Sequence, residues 1–366
     1  MILTADLRMY RHSGIGRYLR NLFPLLLPQL HADEIHLLAS RELLADAPWL
    51  PHSSNPDPRI RLHETHAPIY SHSEQHLLVA VPRTHLLWVP HFNAPLLRRG
   101  PMVVTIHDIA PLAMPEILSN PIKRAYASLL IHRATSQANA ILCASNFTRS
   151  ELSTRLNVPA EKMTVTHLGL DKDWPTSAPP HIEPDHVPYL LYVGNVKPNK
   201  NLSLLLTAFA AVQNSIPHRL LIAGKTDGFG TNDQAVLTQA KSLGDRAHFT
   251  GEVSDTELQS LYAGAAALVL PSLYEGFGLP LLEAMSLNCP ILCSTAGSLP
   301  EIAGDAAVYF APHSPEELSA CLLQLEDATL MNHLRTQGHI RLNQFSFQTC
   351  ANQTASAMNH LLKHPS

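Results

Sequence analysis

Short apolar runs recur along this chain, most followed by a stretch with helical spacing, and the alternation occurs in two series. The first series has runs at residues 2–4, 35–39, 86–89, 102–106, 141–144 and 163–167, with helices opening at 13 and 145. The second has runs at 189–193, 220–223, 248–250, 265–270, 290–293 and 307–310. Helical stretches at 201–212, 232–242 and 255–263, and one opening near 280, sit between them. Further helical stretches at 314–326, 327–343 and 347–362 complete the series. Parallel strands cannot be joined by a tight turn and need a crossover, usually a helix. Strand alternating with helix therefore predicts an α/β chain with helices on both faces of parallel sheets. The runs are almost continuously apolar, as strands buried on both faces must be.

Residues 175–188 carry five prolines and separate the two series, which marks a linker. The expected division is a Rossmann-like domain at 1–174, a linker at 175–188, and a second Rossmann-like domain at 189–345. A helix at 346–366 is expected to cross back to the first domain. With 366 residues the chain is long enough for two doubly wound domains. Two details are less regular. Pro24 falls inside the first helical stretch and predicts a kink there. Residues 48–68 are rich in Pro, His and Ser and read as an irregular excursion.

The formal net charge of −4 and the lack of a long basic run argue against nucleic acid as a partner. Through residue 185 there are 17 Lys and Arg against 16 Asp and Glu, and after it 9 against 14. The first half is thus the candidate for a peripheral contact with an anionic membrane surface. Five cysteines without ligand spacing read as small core residues of a reducing compartment. No apolar run reaches membrane-spanning length, and residues 1–6 lack the pattern of a signal peptide, so a cytoplasmic location is expected. Histidines are many, yet none falls in a metal-binding spacing.

The most informative stretch lies at 265–285. An apolar strand runs into a polar turn, and Gly276 and Gly278 then free the backbone ahead of Pro280, which suits the first position of a helix. The amides of Gly276, Phe277, Gly278 and Leu279 would gather at that helix start, where an anion or a ring of hydroxyls is favoured. Glu275 and Glu283 frame the place. A plain strand–turn–helix with Glu283 answering the helix dipole fits Glu283 equally well. Elsewhere, Gly14-Ile-Gly16 opens a helix, His107-Asp108 ends a strand, and Gly194-Asn195 leads through Lys197 to Lys200-Asn201. Each of these, taken alone, fits a turn or a structural histidine as well as a site.

Together these segments resemble glycosyltransferase family 4, the retaining nucleotide-sugar enzymes. The residues Glu275-Gly-Phe-Gly-Leu-Pro-Leu-Leu-Glu283-Ala match its paired-glutamate motif. The resemblance implies a GT-B fold, two Rossmann-like doubly wound domains facing a central cleft. It also implies a donor held by Gly14, Gly16, Gly194, Asn195, Lys200, Lys225, Val253, Glu275, the 276–279 amides and Glu283. Lys200 would meet the diphosphate, Glu275 the sugar, Glu283 the ribose, and His107 would sit beside the sugar. Glu275, His107 and Lys200 are the implied catalytic group. Asn195 departs from the family, many of whose members carry arginine there, and leaves Lys197 or Arg17 as the second cation. Asp171-Lys-Asp173 matches the metal motif of the other large glycosyltransferase fold only superficially, because it sits at a linker.

The resemblance further implies transfer of a sugar, with retention, to a glycan or lipid-linked acceptor. No metal cofactor is expected, since lysine and helix amides suit a growing diphosphate charge. Similarity to bacterial polysaccharide mannosyltransferases points to mannose carried on GDP. Two other readings stand beside this one: a glycoside hydrolase using Glu275 and Glu283 as its carboxylate pair, and a non-catalytic nucleotide-sugar-binding subunit.

Overall fold

The computed structural model describes every residue except 51–52, 55, 81–83, 99, 119, 176–186, 226–233 and 364–366. The chain forms two compact units. The first comprises residues 1–112, 120–172 and 346–366, and the second residues 113–119 and 173–345. Most of the proline-rich stretch at 175–188 lies outside the described residues.

The first unit has seven strands: β1 (Ile2–Asp6), β2 (Glu34–Ala39), β3 (Ile60–Glu64), β4 (Leu86–Val89), β5 (Met102–Ile106), β6 (Ala140–Cys143) and β7 (Met163–Val165). All pair in parallel, in the order β3-β2-β1-β4-β5-β6-β7. The helices α1 (Ser13–Leu26), α2 (His72–Ala80), α3 (Ala110–Ala113), α4 (Pro121–Gln137) and α5 (Asn146–Leu156) follow in chain order. The central strands β4 and β5 are buried at every residue, as their apolar runs require. Trp88 of β4 is fully buried, and its ring stacks parallel to Phe23 of α1 with centroids 6.3 Å apart. Helix starts follow local chemistry. Asn120 caps α4 with Pro121 as its first residue, and Ser145 accepts from the Thr148 amide at the start of α5.

Here the structure corrects the sequence reading in one place. The excursion at 48–68 contains β3, which pairs with β2 at the sheet edge. An edge strand needs few apolar residues, and only Ile60 of β3 is buried. Helix α1 runs through Pro24, in its last turn, to Leu26. The C-terminal helix, Phe347–Lys363, packs on α1. Gly169 has no room for a side chain there: a Cβ would lie 2.3 Å from the Phe347 nitrogen. Asn359 accepts from the His31 amide at 2.9 Å and donates to the Gln29 carbonyl at 2.8 Å.

The second unit has six parallel strands: β8 (Tyr189–Val193), β9 (Arg219–Ala223), β10 (Ala247–Gly251), β11 (Ala267–Leu270), β12 (Ile291–Ser294) and β13 (Ala307–Phe310). Their order is β10-β9-β8-β11-β12-β13. Its helices are α6 (Leu202–Val212), α7 (Gln234–Ser242), α8 (Asp255–Gly264), α9 (Leu279–Ser286), α10 (Leu299–Ala303), α11 (Pro315–Leu323) and α12 (Ala328–Leu342). Ser254 and Glu257 close a reciprocal capping box at the start of α8. In α9 the first helical residue is Leu279, so Pro280 stands second rather than first. Strand order reverses between β8 and β11, and in the first unit between β1 and β4. Ligands of doubly wound sheets bind outside the carboxyl ends of the strands that flank such a reversal. All five cysteines are free and buried.

Candidate functional site

The loops that leave β8 and β11 are fastened to one another. Leu273 donates its amide to the Asn199 carbonyl at 2.8 Å, and the Asn199 side chain donates to the Tyr274 carbonyl at 3.3 Å. Asn201, in the left-handed conformation ahead of α6, donates to the carbonyls of Pro271 (3.0 Å) and Pro312 (2.8 Å). On this frame the Lys200 Nζ reaches the Glu275 Oε1 at 2.5 Å. The Ser272 hydroxyl donates to the same oxygen at 2.8 Å. Two groups that sequence spacing places 75 residues apart thus form one ion pair, about one-fifth exposed or less on either side. Close by, Tyr192 is fully buried, and burial together with the Glu275 charge drives its phenol up.

The backbone of Glu275 is held from the turn after β12. Ser298 donates to the Glu275 carbonyl from its amide at 3.1 Å and from its hydroxyl at 3.0 Å. Gly297 has φ +64°, and a Cβ there would lie 2.7 Å from both the nitrogen and the oxygen of Glu275. Only glycine allows that approach without displacement. Nothing in the sequence reading linked this turn to the position of Glu275.

Glu283 lies one turn inside α9 and is only 4% exposed. Its Oε2 accepts from the Tyr262 hydroxyl at 2.8 Å, and Tyr262, on α8, is fully buried. The Trp174 ring meets Tyr262 edge-on at 5.9 Å. Phe277 is also buried, edge-on to Phe345 at 5.8 Å, so its ring anchors the loop. Gly276 and Gly278 are buried, with Gly278 (φ +99°) capping α9 beside Leu279.

Gly194 follows β8, and Asn195 links two loops: its Oδ1 accepts from the Lys225 amide at 3.2 Å. The Lys225 ammonium pairs with Glu252 at 3.1 Å near solvent. Val253 follows in the same half-buried loop after β10. Gly14, Gly16 and His107 belong to the first unit. Gly14 faces open space, whereas a Cβ on Gly16 would strike the Tyr10 carbonyl at 2.5 Å. His107 directs Nε2 at the Pro90 carbonyl at 3.0 Å, and Tyr18 stands edge-on to its ring at 4.7 Å. A carbonyl only accepts, so Nε2 carries the proton and Nδ1 the lone pair. Burial holds this imidazole down at about 4, so it is neutral near pH 7. Arg17 lies 3.7 Å from Asp171, which also accepts from Asn21 at 2.9 Å. Among the described residues no three His, Cys, Asp or Glu side chains gather as a metal site.

Residues 13–174 match a family described as Glycosyltransferase Family 4, and residues 175–339 one described as Glycosyl transferases group 1. Over 281 residues the chain is 34% identical to O-antigen chain mannosyltransferase B of Escherichia coli, covering 73% of this chain and 72% of that protein. It is 28% identical over 250 residues to the O-antigen chain mannosyltransferase RfbU of Salmonella typhimurium, covering 68% and 67%. The solved structure of a sucrose-phosphate synthase from Thermosynechococcus elongatus matches over 99% of each chain, with a TM-score of 0.75 at 18% identity. At that identity the likeness is one of fold.

Proposed function

The chain belongs to glycosyltransferase family 4 with the GT-B fold, and from that premise we propose that it transfers mannose from GDP-mannose, with retention, to a hydroxyl of a glycan or lipid-linked acceptor in bacterial polysaccharide synthesis. The observation that carries this reading is the Lys200–Glu275 pair, set on welded loops at the strand reversal of the second unit. A diphosphate leaving group gains charge as its bond to the sugar breaks, and a fixed cation lowers that barrier. Lys200 is the cation in this role, and Glu275 accepts hydroxyls of the sugar. Glu283, held by Tyr262, accepts those of the ribose. The C1–O bond to the diphosphate breaks as the C1–O bond to the acceptor forms on the same face. The acceptor's proton passes to the departing phosphate, so no protein base is required. The relatives' names support the sugar: both are O-antigen chain mannosyltransferases.

The test is a thermal-shift and turnover screen of GDP, UDP and ADP with their sugars. A ligand that binds only the folded state raises its melting temperature by mass action. GDP-mannose should give the largest shift and release GDP, and the anomeric signal of the product should match that of the donor. Turnover should survive EDTA. Loss of turnover on chelation, restored by Mg or Mn ions, would overturn the metal-free mechanism.

A further inference from the structure

The first unit has its own strand reversal, between β1 and β4, and a buried polar network fills its carboxyl end. Asp6 ends β1. Arg8 donates to Asp6 through Nε at 2.8 Å and Nη2 at 2.6 Å, and through Nη2 to the Glu74 Oε1 at 2.8 Å. Glu74, near the start of α2, is fully buried. It also accepts from the Tyr70 amide at 2.7 Å and from the Asn93 Nδ2 at 2.5 Å. One carboxylate thus ties together the loops after β1, β3 and β4. Sequence reasoning found none of it.

The network fixes the state of a histidine. Asn93 turns its amide nitrogen to Glu74, so its Oδ1 is the atom facing His91 Nδ1 at 3.1 Å. An amide oxygen only accepts, so Nδ1 carries the proton and Nε2 of His91 bears the lone pair. The Tyr70 hydroxyl lies 3.3 Å from the same Nδ1. Tyr70 is held at φ +63°, where a bulky residue is rarely found, yet the residue is 46% exposed. Strain of this kind persists where the surroundings over-determine a residue, often at ligand clamps. His91 rests against Phe92, with centroids 3.9 Å apart.

We propose that His91 and Tyr70 form a binding subsite for a neutral pyranoside, the sugar unit of the acceptor, and that Glu74, Asn93 and Arg8 are its positioning residues. This deepens the glycosyl-transfer reading and rests on it. The Nε2 lone pair takes a sugar hydroxyl, and the exposed phenol ring takes the apolar face of the sugar. Below them, two carboxylates share one guanidinium, and that excess of negative charge disfavours a phosphate-bearing ring. Burial and the neighbouring His107 hold His91 down at about 3, so it stays a neutral hydrogen-bond acceptor and is too weak a base to take the proton.

The experiment is saturation-transfer NMR on the full chain with methyl α-mannopyranoside as probe, read beside thermal shifts with GDP. Wild type should saturate the ring protons. His91→Phe, which keeps the packing on Phe92, should weaken the signal roughly tenfold, the worth of one well-placed hydrogen bond. Tyr70→Asn should do the same, since asparagine tolerates the left-handed backbone. Neither variant should change the GDP shift. Mannose 6-phosphate should bind more weakly than the neutral probe. Absence of saturation in wild type, undiminished saturation in both variants, or a preference for the phosphorylated sugar would each overturn the subsite. If the probe binds as described while no nucleotide sugar is turned over, the glycosyl-transfer reading fails and the subsite stands.

Discussion

Replacing Gly297 by alanine tests whether the position of Glu275 limits turnover. The new methyl group would stand 2.7 Å from the Glu275 nitrogen and oxygen. Ordinary contact requires the Glu275 backbone to retreat by about half an ångström or more, since a packed interior has no slack to absorb it. Glu275 is the residue that Lys200 and Ser272 hold, so their shared contact at Oε1 would loosen. Misplacement on the 1 Å scale costs a catalytic site up to about 100-fold. The left-handed backbone adds roughly 1–2 kcal/mol of strain for a residue with a Cβ. For a unit of this size that corresponds to a fall in melting temperature of about 2–8 °C. The assay is GDP release from GDP-mannose at 25 °C, with calorimetry on the same preparations. We expect kcat/KM to fall by about 10- to 100-fold in a protein that is still folded at the assay temperature. A variant that melts lower as described but turns over within twofold of wild type would refute the claim that this turn positions a reacting group.

Lys200→Ala should lower turnover by roughly two to three orders of magnitude, the scale of losing one preorganised electrostatic stabiliser; wild-type rates would remove it from the mechanism. Glu283→Gln should chiefly raise the donor KM and Glu275→Gln chiefly lower kcat, since only contacts strengthened at the transition state appear in kcat. The same pure kcat defect in both variants, with normal melting temperatures, would deny Glu283 its ribose role. Acid should weaken the first unit. His91 and His107 titrate at about 3 and about 4 in the folded chain but near 6.5 when unfolded, so the unfolded state binds more protons between those values. Stability is then fully present above pH 6.5 and falls as pH drops toward 4. A melting temperature measured from pH 7 to pH 4.5 checks this, and His107→Gln should flatten the slope.

What could be read from the amino-acid order depended on how local the signal is. Central strands such as β4 and β11 are continuously apolar because helices cover both their faces, and such runs are legible without a structure. Lys200 and Glu275 were singled out because each stands in a recognisable strand-to-helix turn, although nothing local showed that they touch. Strand β3 was missed because an edge strand has only one side to bury. The Arg8–Glu74 pair spans 66 residues, and the Tyr262–Glu283 bond joins two helices. Charge partners brought together by topology leave no periodic trace. Glu283 illustrates the limit. Its place near a helix start fits both a dipole partner and a ligand, and only its burial against a tyrosine hydroxyl shows that its carboxylate is held by another helix.

The return of residues 346–366 to the first unit bears on how the chain is made. During translation the strands of the first unit leave the ribosome early, but α1 has no covering helix until the whole second unit has followed. At about 5–20 residues per second that delay is on the order of ten to thirty seconds. The second unit, complete at Phe345, can close before the first one does. For that interval the part of α1 that the C-terminal helix covers stays open to solvent. A ribosome stalled anywhere between residues 173 and 345 would present a first unit that is recognisably folded in its sheet and open on one side.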